Sequence, residues 1–463
     1  MDDSTAFRFS ARSSPAYLDI GTLTLLALLL NLVHLGTRSI VFDEATSANF
    51  ARFGFIPLLH VIGGGDPNMG LYYALLNLWV RLFGQSEAAV RSLSAIFGAL
   101  AVAAIYLVGA RLFGRMVGII AGVLLALDAF IVEYAQTARS YSMVVFLVTL
   151  SAYFLVVELE QPSKRNRIAY VLTSILAIYA HYFAVYVLVA HLVTVTAMRR
   201  RAALTREWLE VAAAIVILCT PAAIIAYHGG GTIWIRWIEP PSLNDIAPNL
   251  VDLAGGSSLL LILLLAGGCY GTVCAIRERR YWPTGFITAW LILPVVFSFA
   301  VSMVWPMFLS RYLIICVPAL ILFGTSALAR VRSQIIAAAL AVPIVWLTAT
   351  NLAAYYRSDQ GEDWRDATRY VLAATHPGDG IVFYPDYAHK PFDYYQRRSD
   401  AAGPANLAGQ SKVERNRIWF VIRKSDAGVH LQEVQQVQTS MAEHYRMVDR
   451  HGFRGVGVEL YAK

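Results

Sequence analysis

Apolar runs long enough to cross the roughly 30 Å hydrocarbon core of a bilayer recur along the chain at 17–36, 90–110, 117–134, 141–158, 168–181, 182–198, 208–227, 256–276, 282–302, 311–329 and 333–354, eleven in all. The polar connections between them are not uniform. Basic residues gather in five of them: Arg111 and Arg115; Lys164, Arg165 and Arg167; Arg199, Arg200, Arg201 and Arg206; Arg277, Arg279 and Arg280; Arg330 and Arg332. Lysine and arginine are retained on the cytoplasmic side, so placing all five there puts the N-terminus in the cytoplasm and the C-terminus outside. That alternation requires the run 168–198 to be two helices broken near His181. It also excludes Gly70–Gly84 as a span, because counting it would move Arg111 and Arg115 outside. This short segment carries Tyr72, Tyr73, Trp79 and Arg81 and reads as a juxtamembrane helix on the outer interface, where aromatic belts and snorkelling arginine belong. A long outer loop then runs over 37–89, and a second over 228–255.

The pattern changes after Ala354. Residues 355–463 mix helical periodicity at Asp363–Ala374 with short apolar strands at Ile381–Tyr384 and Ile418–Ile422, separated by turns such as Pro377-Gly378-Asp379-Gly380. The expected architecture is a polytopic α-helical membrane protein of eleven transmembrane helices, residues 1–354, followed by a soluble α/β domain, 355–463, on the outer face. Composition agrees: 57% of residues are hydrophobic, 15% are charged and the mean hydropathy is +0.54, which excludes a soluble protein of this length. The net charge of +7 is carried by the connections between apolar runs, so it reports topology and not a nucleic-acid surface. The four cysteines stand in or beside apolar runs at no metal-ligand spacing. Arg8 and Arg12 precede an apolar run, Tyr17–Leu35, that is long and lacks a small-residue cleavage site, so it reads as a retained first span.

This topology collects one set of polar residues on the outer face. Asp43 and Glu44 follow the first span, Asp66 lies in the turn Gly63-Gly64-Gly65-Asp66-Pro67-Asn68, and Glu133, Gln136, Arg139 and Tyr141 lie between the third and fourth spans. His181 and Tyr182 separate the fifth and sixth, and Arg311 and Tyr312 open the tenth. Carboxylates and arginines at one interface suit a reaction in which one group removes a proton while another holds an anion. Arginine at the outer leaflet matches the planar, bidentate geometry of a lipid phosphate. Each residue also has a plainer reading. Asp43 and Glu44 suit the positive end of a helix, Arg139 and Arg311 could snorkel as interfacial anchors, His181 could be a hydrogen-bonded core residue, and Glu133 could pair with Arg139. Tyr72, Tyr73 and Trp79 read as belt residues.

Four stretches carry a resemblance: the Asp43-Glu44 pair, DPNMGLYYALLNLWVRLFGQSEAAVRSLSAIFG, RLFGRMVGIIAGVLLALDAFIVEYAQTARSYSM and FLSRYLIICVP. Together they resemble the GT-C membrane glycosyltransferases, nearest to the bacterial protein O-mannosyltransferase-like branch, with lipid A aminoarabinose transferases as more distant relatives. The resemblance covers most of 17–354 and the outer position of the tail. It implies transfer of a sugar from a polyprenyl-phosphate donor to an envelope glycan, lipid or protein, on the periplasmic side of a bacterial inner membrane. By that resemblance Asp43 matches the first acid of the family's motif and would be the general base, supported by Glu44. Arg139 and Arg311 would hold the donor phosphate, and a single base without a covalent nucleophile would invert the anomeric centre.

Two departures from the aminoarabinose transferases argue against that donor sugar. Asp66 stands before Pro67 where they carry a lysine, and Ser140-Tyr141 replaces a second acid, leaving Glu133 as the carboxylate to stand in for it. A divalent metal bridging Asp43 and the phosphate is compatible with these residues, although no clear ligand set stands out. The competing function is a transporter or flippase that moves a lipid-linked sugar without chemistry. Such a protein would favour broken helices near the bilayer midplane and internal repeats, and the sequence displays neither.

Overall fold

Long apolar helices dominate the computed structural model, which describes residues 16–64, 67–198, 206–228, 238–358, 361–399, 402–407, 415–425 and 431–463. In chain order they are α1 (Tyr17–Leu32), α2 (Phe42–Phe50), α3 (Phe55–Gly64), α4 (Gly70–Phe83), α5 (Glu87–Phe113), α6 (Arg115–Leu127), α7 (Ala129–Ala135), α8 (Tyr141–Glu160), α9 (Lys164–Ala180) and α10 (Ala184–Met198). They continue with α11 (Arg206–His228), α12 (Ile246–Leu253), α13 (Ser258–Arg277), α14 (Trp282–Ser302), α15 (Val317–Thr325), α16 (Gln334–Arg357), α17 (Trp364–Ala374), α18 (His389–Gln396) and α19 (Leu431–Ala442). Two compact units result, and neither is contiguous in sequence. One comprises Met1–Val33, Gly54–Leu75 and Arg91–Ser358; the other comprises His34–Phe53, Leu76–Val90 and Asp359–Lys463.

Among the described residues seven helices are long and apolar enough to cross a membrane, and an eighth crossing is formed if the bent pair α6 and α7 is taken as one. The expected run 117–134 is thus interrupted. At Asp128 the backbone leaves the helical region (φ −65°, ψ 118°), the axis turns by 61°, and Asp128 Oδ1 accepts from Ile131 N at 3.0 Å to restart the helix as its N-cap. Three other expected crossings are short. Helices α1, α9 and α10 have 16, 17 and 15 residues, about 22–26 Å at 1.5 Å per residue. Length alone therefore does not reach eleven crossings. The break between α9 and α10 does fall at His181.

Ion pairs gather the basic connections of the first unit. Arg115 Nε lies 2.6 Å from Asp19, Arg111 pairs with Glu160, and Arg167 Nη2 bridges Glu158 at 3.1 Å and Glu207 at 2.8 Å. These links tie the start of α1, the α5–α6 turn, the end of α8 and the starts of α9 and α11 to one end of the bundle. The opposite end is tied by neutral groups. Gln136 Nε2 donates to the carbonyls of Asn31 (3.1 Å) and Val33 (2.6 Å), and Tyr355 Oη donates to Gln136 Oε1 at 3.1 Å. Between the ends, small residues let backbones approach. A Cβ on Gly267 of α13 would stand 2.5 Å from the Gly324 carbonyl oxygen of α15, so this crossing needs the missing side chain.

The second unit contains a five-stranded sheet in the order β2-β1-β3-β5-β4, with β1 Gly380–Tyr384, β2 Ala405–Asn406, β3 Arg417–Arg423, β4 Arg446–Phe453 and β5 Val456–Ala462. Strand β1 runs parallel to β2 and β3, while β5 is antiparallel to β3 and β4. The run Ile418–Ile422 is continuously apolar because β3 is central and buried on both faces. Trp419 and Val421 pack with Trp364, Val371 and Phe392, whereas Phe420 and Ile422 pack with Val434 of α19 and Tyr461. Helix α17 starts one residue inside its expected range because Asp363 is its N-cap, accepting from Asp366 N at 3.3 Å.

Replacing Gly267 by valine should cost about 1–3 kcal/mol by overpacking. Thermal unfolding in detergent checks this against Gly285→Ala, whose Cβ meets nothing within 4 Å and which should unfold like wild type.

Candidate active site

In the first unit the candidate residues cluster at the end of the bundle away from the ion-paired connections. The turn after α7 carries Arg139, and neighbouring helices hold it from two sides. Its carbonyl accepts from Ser94 Oγ at 3.0 Å, Ser94 Oγ meets Tyr72 Oη at 2.8 Å, and Arg139 Nη1 donates to Tyr73 Oη at 3.2 Å. Tyr72 and Tyr73 are 0% exposed, so they are not belt residues. Their hydroxyls find partners inside the bundle, and burial follows from Met69, Tyr72, Tyr73, Leu76 and Val80 forming one buried face at helical spacing.

Helix α9 ends at His181, which is 1% exposed in extended conformation (φ −164°, ψ 128°). Asn68 clamps this break: its Oδ1 accepts from Tyr182 N at 3.0 Å, while its Nδ2 approaches His181 Nε2 at 3.1 Å. The Phe183 amide donates to His181 Nδ1 at 3.3 Å. A neutral imidazole accepts at one nitrogen only, and here the Phe183 amide takes Nδ1, so the ring is neutral and its acceptor nitrogen is engaged. This is the geometry of a structural histidine.

Rings surround it. Tyr141 lies 5.7 Å and Tyr312 5.6 Å from the His181 centroid, and Phe183 stacks on Tyr312 at 4.8 Å with a 21° interplanar angle. Arg311, in the first turn of the 3-10 helix Ser310–Cys316, places its Cζ 5.5 Å from the Tyr312 centroid. Tyr141, His181 and Tyr312 form one aromatic cluster with Arg311 against Tyr312, and Arg139 stands in the turn that leads into Tyr141. Such an arrangement can hold an anion. Glu133 is half-buried on α7, just before this turn.

Asp43 and Glu44 belong to the second unit. They stand in the first turn of α2, as the plainer reading of the pair expects. Glu44 is 2% exposed and its Oε2 accepts from Val41 N at 3.3 Å, the reciprocal half of a capping box. Asp43 is half-buried and does not cap the helix. Beside it, Phe42 packs against Tyr387 at 4.8 Å, with Lys390 Nζ 4.8 Å and Arg423 Cζ 5.9 Å from its ring. Asp66 lies outside the described residues, as do Trp234, Arg236 and Trp237 of the second loop. No group of three or more His, Cys, Asp or Glu side chains that could hold a metal ion occurs among the described residues. Sequence reasoning missed Asn68, Tyr73 and Ser94. All three fall inside the stretch that carried the resemblance, and the helical spacing of Tyr73 with Met69, Leu76 and Val80 was the available signal.

Residues 68–225, about a third of the chain, match the family model described as dolichyl-phosphate-mannose-protein mannosyltransferase. They include Asn68, Tyr73, Arg139, Tyr141 and His181. The fold is similar to that of ArnT from Cupriavidus metallidurans in the apo state, with 14% identity, a TM-score of 0.63, and coverage of 96% of this chain and 98% of that one. ArnT bound to undecaprenyl phosphate matches over the same shares at a TM-score of 0.61 and 14% identity. The oligosaccharyltransferase of Archaeoglobus fulgidus, tethered with an acceptor peptide, matches with 12% identity and a TM-score of 0.54, over 85% of this chain and 64% of that one. Among curated proteins none matches.

Asn68→Ala removes the partner of His181 Nε2 and the acceptor for Tyr182 N. Loss of these part-buried bonds should lower the stability of the protein by about 1–3 kcal/mol, read as a lower thermal midpoint in detergent.

Proposed function

We propose that the protein transfers a sugar from a polyprenyl-phosphate donor to a hydroxyl on an envelope glycan, lipid or protein, at the periplasmic face of a bacterial inner membrane. The observation that carries this reading is the aromatic cluster of Tyr141, His181 and Tyr312, with Arg311 against Tyr312 and Arg139 in the turn that leads into Tyr141. It is supported by the similarity of nearly the whole chain to a protein whose structure was determined with undecaprenyl phosphate. Two arginines on the donor phosphate neutralise the charge that grows as the sugar–phosphate bond breaks.

The chemistry needs few parts. Asp43 takes the proton from the acceptor hydroxyl, the acceptor oxygen forms its bond to the anomeric carbon, and the bond from that carbon to the phosphate oxygen breaks. The electron pair leaves with the polyprenyl phosphate, held by Arg139 and Arg311. Attack opposite the leaving group, without a covalent intermediate, inverts the anomeric centre. Glu44 supports by holding the turn that presents Asp43. In this reading the chain crosses the membrane eleven times with its N-terminus in the cytoplasm. The short helices α1, α9 and α10 complete the count, residues 1–354 form the transmembrane domain, and 355–463 form a periplasmic α/β domain. The ion-paired basic connections at one end of the bundle support that orientation.

Asp43→Asn should lower turnover about 100- to 10,000-fold, the range of a lost general base, with donor binding intact. Arg139→Ala and Arg311→Ala should each weaken donor binding. Sugar release from a panel of undecaprenyl-phosphate sugars by purified protein checks both, and turnover retained in Asp43→Asn would sink the assignment of the base.

A further inference from the structure

Between α1 and α2 the backbone forms neither helix nor strand, yet every residue from Gly36 to Ile40 is bonded to the C-terminal part of the same unit. One guanidinium takes three of them. Arg365, at the second position of α17, donates from Nη2 to the carbonyls of Gly36 (3.0 Å) and Arg38 (3.3 Å), and from Nη1 to the carbonyl of Thr37 (3.1 Å). Its own backbone N donates to Ser39 Oγ at 2.9 Å, and Ser39 Oγ donates to the N-cap Asp363 Oδ1 at 3.2 Å. Tyr395 of α18 accepts from Ile40 N at 2.7 Å. Glu87 then fixes the guanidinium from behind: its Oε1 lies 3.1 Å from Arg365 Nε, and its Oε2 accepts from Arg398 Nη1, also at 3.1 Å.

These bonds end where the chemistry begins. Helix α2 starts at Phe42, so Asp43 follows Ile40 by one turn of chain, with Phe42 pinned against Tyr387. Irregular backbone has no ladder of its own to hold it, and its orientation is set by whatever satisfies its carbonyls and amides. Here that is a rigid five-donor fork and a buried phenol.

We infer that Arg365 and Tyr395 are positioning residues for sugar transfer: by holding residues 36–40 they set the direction in which α2 presents the Asp43 carboxylate. The inference rests on the reading of Asp43 as the base. It makes α17 and α18 of the C-terminal segment part of the machinery that aims the base. Misplacing a catalytic group by about 1 Å costs on the order of 100-fold, whereas donor binding does not depend on the aim of Asp43.

Two conservative variants of the full-length protein test this. Tyr395→Phe keeps the ring and removes the oxygen that accepts from Ile40; Arg365→Lys keeps the charge and removes the fork. Each should lower kcat about 10- to 100-fold on whichever undecaprenyl-phosphate sugar the wild type consumes, with donor KM within about twofold. Amide exchange of the peptide covering 36–44 should speed up in both, and in an Asp43→Asn background neither should lower turnover further. Wild-type kcat in both variants overturns the inference, as does a loss of kcat accompanied by an equal loss of donor affinity and a lower thermal midpoint. Failure of the underlying reading looks different. Asp43→Asn turning over like wild type ends the base assignment and the positioning role with it, whereas an inactive Asp43→Asn beside a fully active Tyr395→Phe and Arg365→Lys overturns the positioning role alone.

Discussion

Hydrocarbon cannot solvate a charge or an unpaired peptide group, and at the membrane edge the protein must supply what water would have given. The arrangement of the first unit follows from that constraint. At one end of the bundle arginines meet carboxylates, as in the Arg167 bridge between Glu158 and Glu207. At the other end Arg139 donates to the Tyr73 hydroxyl and Arg311 lies against the face of Tyr312. In the proposed reaction these are the guanidiniums that hold the donor phosphate.

The same constraint explains how much could be read without coordinates. Apolar runs report burial in lipid whatever they pack against, so the positions of α5, α8, α13, α14 and α16 were legible, and so was the break at His181, which the alternation of basic connections demands. The bend at Asp128 was not, because a single buried aspartate inside a run does not disturb average hydropathy, yet its carboxylate can re-cap a helix. Tyr72 and Tyr73 misled for a related reason. Composition says only that a tyrosine suits an interface, and what decides between lipid and core is a hydroxyl partner, here Ser94 and Arg139, distant in sequence. In the tail, β3 was visible as an apolar run, whereas β4 is an exposed edge strand without alternation and left no pattern.

The candidate site was legible as a set of residues and not as a geometry. Arg139, Tyr141, His181, Arg311 and Tyr312 were gathered by topology alone, since each ends or begins an apolar run on the same side. Their contacts differ: the acceptor nitrogen of His181 is engaged by the Phe183 amide, and Glu44 closes the capping box with Val41. In the proposed reaction Asp43 is the acid that acts as base.

That division within two residues bears on why the tail and the outer loop belong to one compact unit. A base must be aimed, and a helix of nine residues such as α2 has too few internal bonds to hold its own direction. In the proposed reaction the arginines draw on packing instead: Phe183 stacks on Tyr312, and Tyr73 is buried. Aim and charge would then be secured by different parts of the chain: hydrogen bonds to irregular backbone for the carboxylate, ring packing for the guanidiniums. Substitutions that loosen the first would act on the chemical step, and those that loosen the second on binding. This separation follows from where each interaction can be strong: polar bonds outside hydrocarbon, and packing within it.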